Sequence, residues 1–228
     1  ATAEVISLLG AEPVFVDIYP ETFNINPSGI EHAIDYAKRK QLNPKAIIPV
    51  DLFGLPARYR LIEEIAKEYN LFILEDAAQG FGGSIRGKKA GSFGNAAATS
   101  FFPAKPLGCY GDGGAIFTDD EDLALIMKSI RVHGSGSDKY ENIRIGLNGR
   151  LDTFQAAILL EKLTIFEEEL NQRNKTANFY SDHLSSSYQK PTIPKEYFSS
   201  WAQFSLLAKS DLDRMNIMSK LKKADIPS

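Results

Sequence analysis

A single cysteine, Cys109, stands among 228 residues, so no internal disulfide can form. That scarcity suits a reducing compartment and excludes a disulfide-stapled secreted scaffold. Three histidines occur, His32, His133 and His183, all far apart, so no histidine-based zinc site and no metal are expected. No window approaches the ~18 uninterrupted apolar residues of a membrane span. No basic segment followed by a long apolar run opens the sequence. Charge of one sign is not in excess either: 26 Lys and Arg stand against 29 Asp and Glu, a formal charge of −3. A generic nucleic-acid surface is therefore not expected, and Lys38-Arg39-Lys40 and Lys222-Lys223 read as solvated helix faces. The expected setting is cytoplasmic, with neither nucleic acid nor membrane as partner. Repeats and low-complexity segments are also missing.

What is present is a core-forming composition, 43% hydrophobic and 24% charged. It suits one large α/β domain or a piece of a longer chain. Short apolar runs alternate with helical patterns. Pro13–Asp17, Lys45–Val50, Leu71–Leu74, Ala96–Phe101 and Gly114–Thr118 read as strands. Helices are predicted over Ser28–Lys40, with Ser28 as N-cap and Glu31 at the capping-box position, over Ala57–Tyr69 and over Asp120–Val132. This alternation implies a mainly parallel sheet covered by helices on both faces. Leu151–Asp182 reads as one long helical stretch, straight or kinked, with Glu167-Glu168-Glu169 on its wet side. Trp201–Ala208 then reads as a strand and Asp211–Ala224 as a helix, one β-α unit of a second, smaller domain.

Ligands of an open parallel sheet sit beyond the carboxyl ends of its strands. Asp76 and Gln79 follow the third predicted strand, and Ser100 and Lys105 the fourth, so an acid, an amide, a hydroxyl and an amine converge at one edge. Lys105 lies between Pro103 and Pro106, which fix the backbone, and before Gly108, Gly111, Gly113 and Gly114, which permit close backbone approach to a ligand. A partly buried lysine amine is a nucleophile toward carbonyls, and a strand-end aspartate can hold a pyridine nitrogen protonated. Each residue also has a plain reading. Lys105 alone would be a surface charge, Asp76 a helix N-cap with Gln79 in its capping box, Ser100 a strand-end hydroxyl, and the glycines a simple turn. The run is neither a Walker loop nor a dinucleotide fingerprint.

The segments Leu9–Asp17, Ile47-Ile48-Pro49-Val50 with Phe53-Gly54, Glu75-Asp76-Ala77-Ala78-Gln79, Gly91–Gly94, Ser100–Ala115, His133-Gly134 and Gly146–Asp152 occur in this order. In them the chain resembles the DegT/DnrJ/EryC1/StrS family of sugar-nucleotide aminotransferases, of the aspartate aminotransferase-like fold type I. The resemblance implies pyridoxal 5'-phosphate as cofactor. It implies Lys105 as the lysine that bonds the cofactor and carries the proton, and Asp76 as the pyridine-nitrogen partner. Gln79 then neighbours the ring hydroxyl and Ser100 binds the phosphate. Asn148 is similar to the family residue that reaches across a homodimer to the neighbouring active site. Arg150 is read as a contact to an acidic sugar, or as a salt bridge to Asp152 or a helix-start contact.

The glycine-rich segment looks closest to enzymes that aminate C3 of a UDP-linked 2-acetamido-3-keto-uronic acid with glutamate as donor, feeding O-antigen and other surface polysaccharide synthesis. TDP-linked keto-hexose aminotransferases are the nearby alternative. Two rival readings are a relative turned dehydratase, which carries histidine where this chain has Lys105, and a non-catalytic regulator. Domains are expected at 1–182, a large cofactor domain lacking its N-terminal portion, and 183–228, the start of a small C-terminal domain. Family members carry an earlier Gly-Thr phosphate loop that nothing here matches, so these residues by themselves are expected to hold the cofactor weakly.

Overall fold

The computed structural model describes residues 1–138 and 140–227; Lys139 and Ser228 lie outside the described residues. The chain runs α1 (Thr2–Leu8), α2 (Ile30–Arg39), β1 (Ala46–Ile47), α3 (Tyr59–Tyr69), β2 (Phe72–Asp76), β3 (Ser84–Ile85) and β4 (Lys88–Lys89). It continues with β5 (Ala96–Ser100), β6 (Gly114–Phe117), α4 (Glu121–Arg131), α5 (Thr153–Leu163), α6 (Phe166–His183), β7 (Tyr197–Phe198) and α7 (Asp211–Lys223). The main sheet has the order β1-β2-β5-β6. Its first two pairings are parallel and the last, β5 with β6, is antiparallel. The connection from β5 to β6 contains no crossover helix, so the chain turns back beside the strand it has just left.

The helix faces follow from apolar spacing. In α3, Tyr59, Ile62 and Ala66 are buried at i, i+3 and i+7, and in α2 Ile30, Ile34 and Ala37 are. They meet Ile47, Ile73 and Phe93 in one core, where the Tyr59 and Phe93 rings stack at 4.4 Å. A second cluster joins Phe101, Leu107 and Cys109 to Leu159 of α5 and to Phe166 and Leu170 of α6. Among the described residues no helix is long and apolar enough to cross a membrane.

Several expected elements differ. Pro13–Asp17 pairs with no strand among the described residues, and Phe15 is 79% exposed. The second strand shortens to Ala46–Ile47 because Pro49 has no N–H to donate, although Val50 still bridges Asp76. Asn26, not Ser28, caps the helix entry: its side chain accepts from the Ser28 N–H and starts a 3-10 turn ahead of α2. The long helical stretch is two helices. At the break the Thr164 hydroxyl and N–H both bond the Glu161 carbonyl, competing with helix continuation. The strand expected at Trp201–Ala208 falls instead at Tyr197–Phe198, which pairs antiparallel with β3 in a small sheet β4-β3-β7. Ser200 is fully buried there, and its N–H donates to the Gly54 carbonyl at 2.9 Å. Gly54 has φ +105°, and a Cβ on it would lie 2.5 Å from Ser200 Oγ, so only glycine fits.

Two carboxyl groups are buried beneath the strand ends. Asp51 and Glu75 are both fully buried. Asp51 Oδ1 accepts from the Ala57 N–H at 3.0 Å and the Tyr59 O–H at 2.8 Å. Glu75 accepts from the Gly91 N–H at 2.6 Å and the Phe93 N–H at 2.7 Å. Asp51 Oδ2 has no donor to accept from, and its side chain meets that of Glu75. Burial pushes the Asp51 carboxyl well above the usual carboxylate range, and the Glu75 charge pushes it further. Glu75 is raised by burial too, against the pull of its two N–H bonds. Both shifts favour the protonated form, and Asp51 is the carboxyl that burial and its neighbour's charge drive furthest toward it.

A carboxyl whose folded pKa is raised binds its proton more tightly folded than unfolded. Its stabilisation is complete below the unfolded value, ~4, and declines as pH rises through the folded value. Asp51→Asn places an amide donor at the same position at every pH. In urea titrations from pH 5 to 9, the variant is expected to lose less stability than the wild type as pH rises. Asp51→Leu, which strands Glu75 and two donors, is expected to cost about 3–5 kcal/mol. Parallel pH curves for wild type and Asp51→Asn would show that no proton is held.

Candidate active site

Side chains alternate along β2, so Glu75 points into the core and Asp76 to the open edge. Asp76 is clamped by its peptide: its N–H donates to the Pro49 carbonyl at 2.9 Å, and its carbonyl accepts from the Asp51 N–H at 3.0 Å. Its carboxylate takes the Ala78 N–H on Oδ1 at 3.1 Å and the Thr2 hydroxyl on Oδ2 at 2.6 Å. The residues after Asp76 form turns, not a helix, so the helix N-cap reading does not hold. Gln79 is not a capping-box residue either. Its Oε1 accepts from the Phe53 N–H at 2.6 Å, and its carbonyl accepts from Ser200 Oγ at 2.7 Å.

The neighbouring parallel strand β5 pairs Ala98 with Asp76 and ends at Ser100, on the same edge. Ser100 Oγ accepts from the Phe102 N–H at 3.2 Å, which leaves its proton free to donate. Beyond it comes Lys105, half-buried, with its N–H on the Phe102 carbonyl at 2.8 Å. None of the glycines that follow has positive φ. Two of them lie close against the protein's own backbone: a Cβ on Gly108 would lie 2.5 Å from the Pro103 carbonyl oxygen and one on Gly114 2.7 Å from that of Thr99.

Asn148 and Arg150 stand apart from this group on the exposed loop after α4. Asn148 bridges Val132, and Arg150 Nε donates to Asn148 Oδ1 at 2.8 Å. The alternative Arg150–Asp152 salt bridge is not formed, and Asp152 caps α5 through the Phe154 N–H instead. Among the described residues no His, Cys, Asp and Glu cluster could hold a metal ion. Sequence reasoning missed Thr2, whose contact to Asp76 spans 74 positions with no local signal.

With the site in view, the comparisons decide the lineage. All of the chain, residues 1–228, matches the model of the DegT/DnrJ/EryC1/StrS aminotransferase family. The chain belongs to that family. It is 46% identical over 229 aligned positions to a UDP-2-acetamido-2-deoxy-3-oxo-D-glucuronate aminotransferase of Pseudomonas aeruginosa, covering 100% of this chain and 61% of that protein. A family structure from Brucella abortus superposes with TM-score 0.95 at 49% identity, over 99% of this chain and 60% of that one. Bacillus subtilis NtdA, solved with bound PMP cofactor, superposes with TM-score 0.82 at 31% identity, over 98% of this chain and 50% of that one. The chain thus spans about three fifths of the length of the curated relative named here. The α/β architecture expected from strand–helix alternation is that of these family structures.

Thr2→Val removes a hydroxyl donor from a half-buried carboxylate and is expected to cost about 1–2 kcal/mol. Thr2→Ser should keep most of that stability. A double-mutant cycle with Asp76→Asn, read by urea denaturation, should assign the loss to this pair; a coupling of zero would remove Thr2 from the site.

Proposed function

We propose that this chain carries the cofactor site of a pyridoxal 5'-phosphate-dependent aminotransferase. The enzyme would transfer an amino group from glutamate to a nucleotide-linked keto-sugar, in the synthesis of bacterial surface polysaccharide. The observation that carries the reading is the set at one sheet edge: Asp76 and Ser100 at the ends of adjacent parallel strands, with Lys105 on the loop beyond. The donor set fits the cofactor. A carboxylate suits a pyridinium N–H, a hydroxyl with a free proton suits a phosphate oxygen, and a primary amine suits an aldehyde. The Pseudomonas relative, by name an aminotransferase of a UDP-linked 3-oxo-uronate, points to the substrate class. PMP in NtdA points to the cofactor.

When bound, the cofactor supplies an aldehyde that condenses with amines and a ring that withdraws electrons from the bond being broken. The residues do the rest. Asp76 accepts the ring N–H and keeps that proton in place. Gln79, with its oxygen occupied by Phe53, turns its amide N–H groups to the ring hydroxyl. Ser100 donates to the phosphate. Lys105 would hold the aldehyde through its amine and, when released, would be the base and acid that carries the proton. Donor and keto-sugar would use one site in turn, so the kinetics would be ping-pong.

Asn148 and Arg150 are assigned to a homodimer, with Asn148 reaching the phosphate in the neighbouring site. Arg150 uses Nε on Asn148 and leaves its terminal nitrogens for the carboxylate of a uronic acid sugar. Ile143, Ile145, Leu147 and Phe154 are all more than half exposed around this pair, an apolar surface that a second copy would cover. Residues 1–182 are read as the large domain and 183–228 as the start of a second, whose first part returns to the first through the β3–β7 pairing.

With saturating cofactor, borohydride should fix a pyridoxyl group on Lys105, and glutamate should yield 2-oxoglutarate. Lys105→Ala should abolish the adduct and lower amine transfer at least a thousandfold, at the scale of lost acid–base catalysis. No 2-oxoglutarate from wild-type protein would end the reading. Lys105→Ala and Asn148→Leu subunits, each inactive alone, should regain activity when mixed and reassociated, because one hybrid site then holds both intact residues.

A further inference from the structure

The amine of Lys105 is bonded by no side chain among the described residues, so its position is set through the backbone of its loop. Phe101–Gly113 closes partly on itself: Cys109 N–H donates to the Phe101 carbonyl and Phe101 N–H to the Gly113 carbonyl, both at 2.8 Å. The outer side of the loop faces solvent, with Tyr110 76% exposed. Its inner side rests on α5. Gln155 Oε1 accepts from the Tyr110 N–H at 2.8 Å. One turn on, Leu159 packs in the cluster with Leu107 and Cys109. Nearly a further turn on, Lys162 Nζ donates to the Gly108 carbonyl at 2.7 Å. Positions 155, 159 and 162 share one helix face. Lys162 forms no ion pair with a carboxylate among the described residues; its charge is spent on this carbonyl.

Resting on the role of Lys105 proposed above, we propose that α5 is the positioning element of the reactive lysine, with Gln155 and Lys162 as positioning residues acting through the loop backbone. The two polar contacts bracket Cys109, one on the carbonyl before it and one on the N–H after it. Rotation of either peptide would break a contact. Leu159 supplies the packing but no direction, because dispersion contacts are non-directional and hydrogen bonds are not. A lysine that must bond one carbon and carry a proton between that carbon and a second needs placement to a fraction of an ångström, which backbone clamps of this kind provide. Gly108 belongs to the same device: with no Cβ it lies against the Pro103 carbonyl and presents its own carbonyl to Lys162.

The test uses Lys162→Met, which keeps the apolar stem and removes the donor, Lys162→Arg, which keeps a donor, and Gln155→Leu. Two readouts are taken on cofactor-free protein: hydrogen exchange of the Cys109–Gly111 amides, and acetylation of Lys105 by a small activated ester relative to exposed Lys220. A third is the rate of borohydride-fixed pyridoxyl adduct at Lys105. Lys162→Met and Gln155→Leu should each raise exchange by about tenfold, as local opening becomes easier. They should also change the Lys105 acetylation ratio and slow adduct formation, with the urea midpoint moved little. Lys162→Arg should restore all three readouts. Unchanged exchange and acetylation in Lys162→Met, or equal loss in Lys162→Arg, would overturn the proposal. If wild-type protein forms no adduct at Lys105, the aminotransferase reading fails, while exchange and acetylation still decide the clamp.

Discussion

Two carboxyl groups buried side by side are the constraint on which the rest of this fold turns. Asp51 and Glu75 form no ion pair among the described residues, although the Lys88 charge pulls Glu75 downward, and two bare charges in the interior would repel across a low dielectric. A proton on Asp51, the form its burial favours, would make one a donor and leave the other an acceptor. The remaining oxygens then collect the Ala57 N–H, the Tyr59 hydroxyl and the Gly91 and Phe93 N–H groups. Those donors belong to the entry of α3 and to the turn ahead of β5. One buried pair thus fixes where a helix starts, how β1 and β2 end, and how the chain enters the central strand. An apolar pair would fill the same volume and leave those donors without acceptors. Gly80 follows from the same packing, since a Cβ there would run into the Asp51 carboxyl.

The site inherits this rigidity through strand alternation. Glu75 and Asp76 are consecutive, so anchoring the first inward directs the second outward. The Asp76 peptide is held on both sides by the chain around Asp51, and its carboxylate is held by Thr2 and Ala78. Little freedom remains in the group read as the pyridine-nitrogen partner. Ser100 gains its place by the register of β5 against β2. Such pre-organisation is what a site needs if its binding energy is to favour a transition state instead of ordering side chains.

The sequence showed what is local. Asp76, Gln79, Ser100 and Lys105 were legible because functional groups of parallel sheets follow strand ends, and the strands ahead of them are short apolar runs. The helix faces of α2 and α3 were legible from spacing. What was missed is long-range. Thr2, Ser200 and Gln155 act on residues many positions away, and nothing near them in the chain announces it. Pro13–Asp17 has the residue pattern of a strand, but a strand is made by its partner as much as by its composition. The antiparallel return of β6 was inferable, because no helical pattern lies between Ser100 and Gly114; alternation elsewhere was extended too far. The close packing of Gly108 on Pro103, of Gly111 on Gln155 and of Gly114 on Thr99 was not legible, because each contact depends on how the loop folds back.

The residues assigned to the reaction divide into two physical classes, and the division carries meaning. Asp76, Gln79, Ser100 and Lys105 are half-buried and held by backbone on several sides. Asn148 and Arg150 are exposed, held from below by the end of α4, where Leu147 N–H meets the Ile130 carbonyl and Gly149 N–H that of Arg131. A backbone this well fixed beneath side chains this exposed is uneconomical for a plain surface loop. Ile145, 97% exposed beside them, makes the same point in apolar area. Both features become sensible if another surface completes the loop. The chemistry assigned here then splits between a part that one chain orders for itself and a part that it offers to a neighbour. Specificity for the sugar would be set where two chains meet, and amine transfer where one chain's strands end.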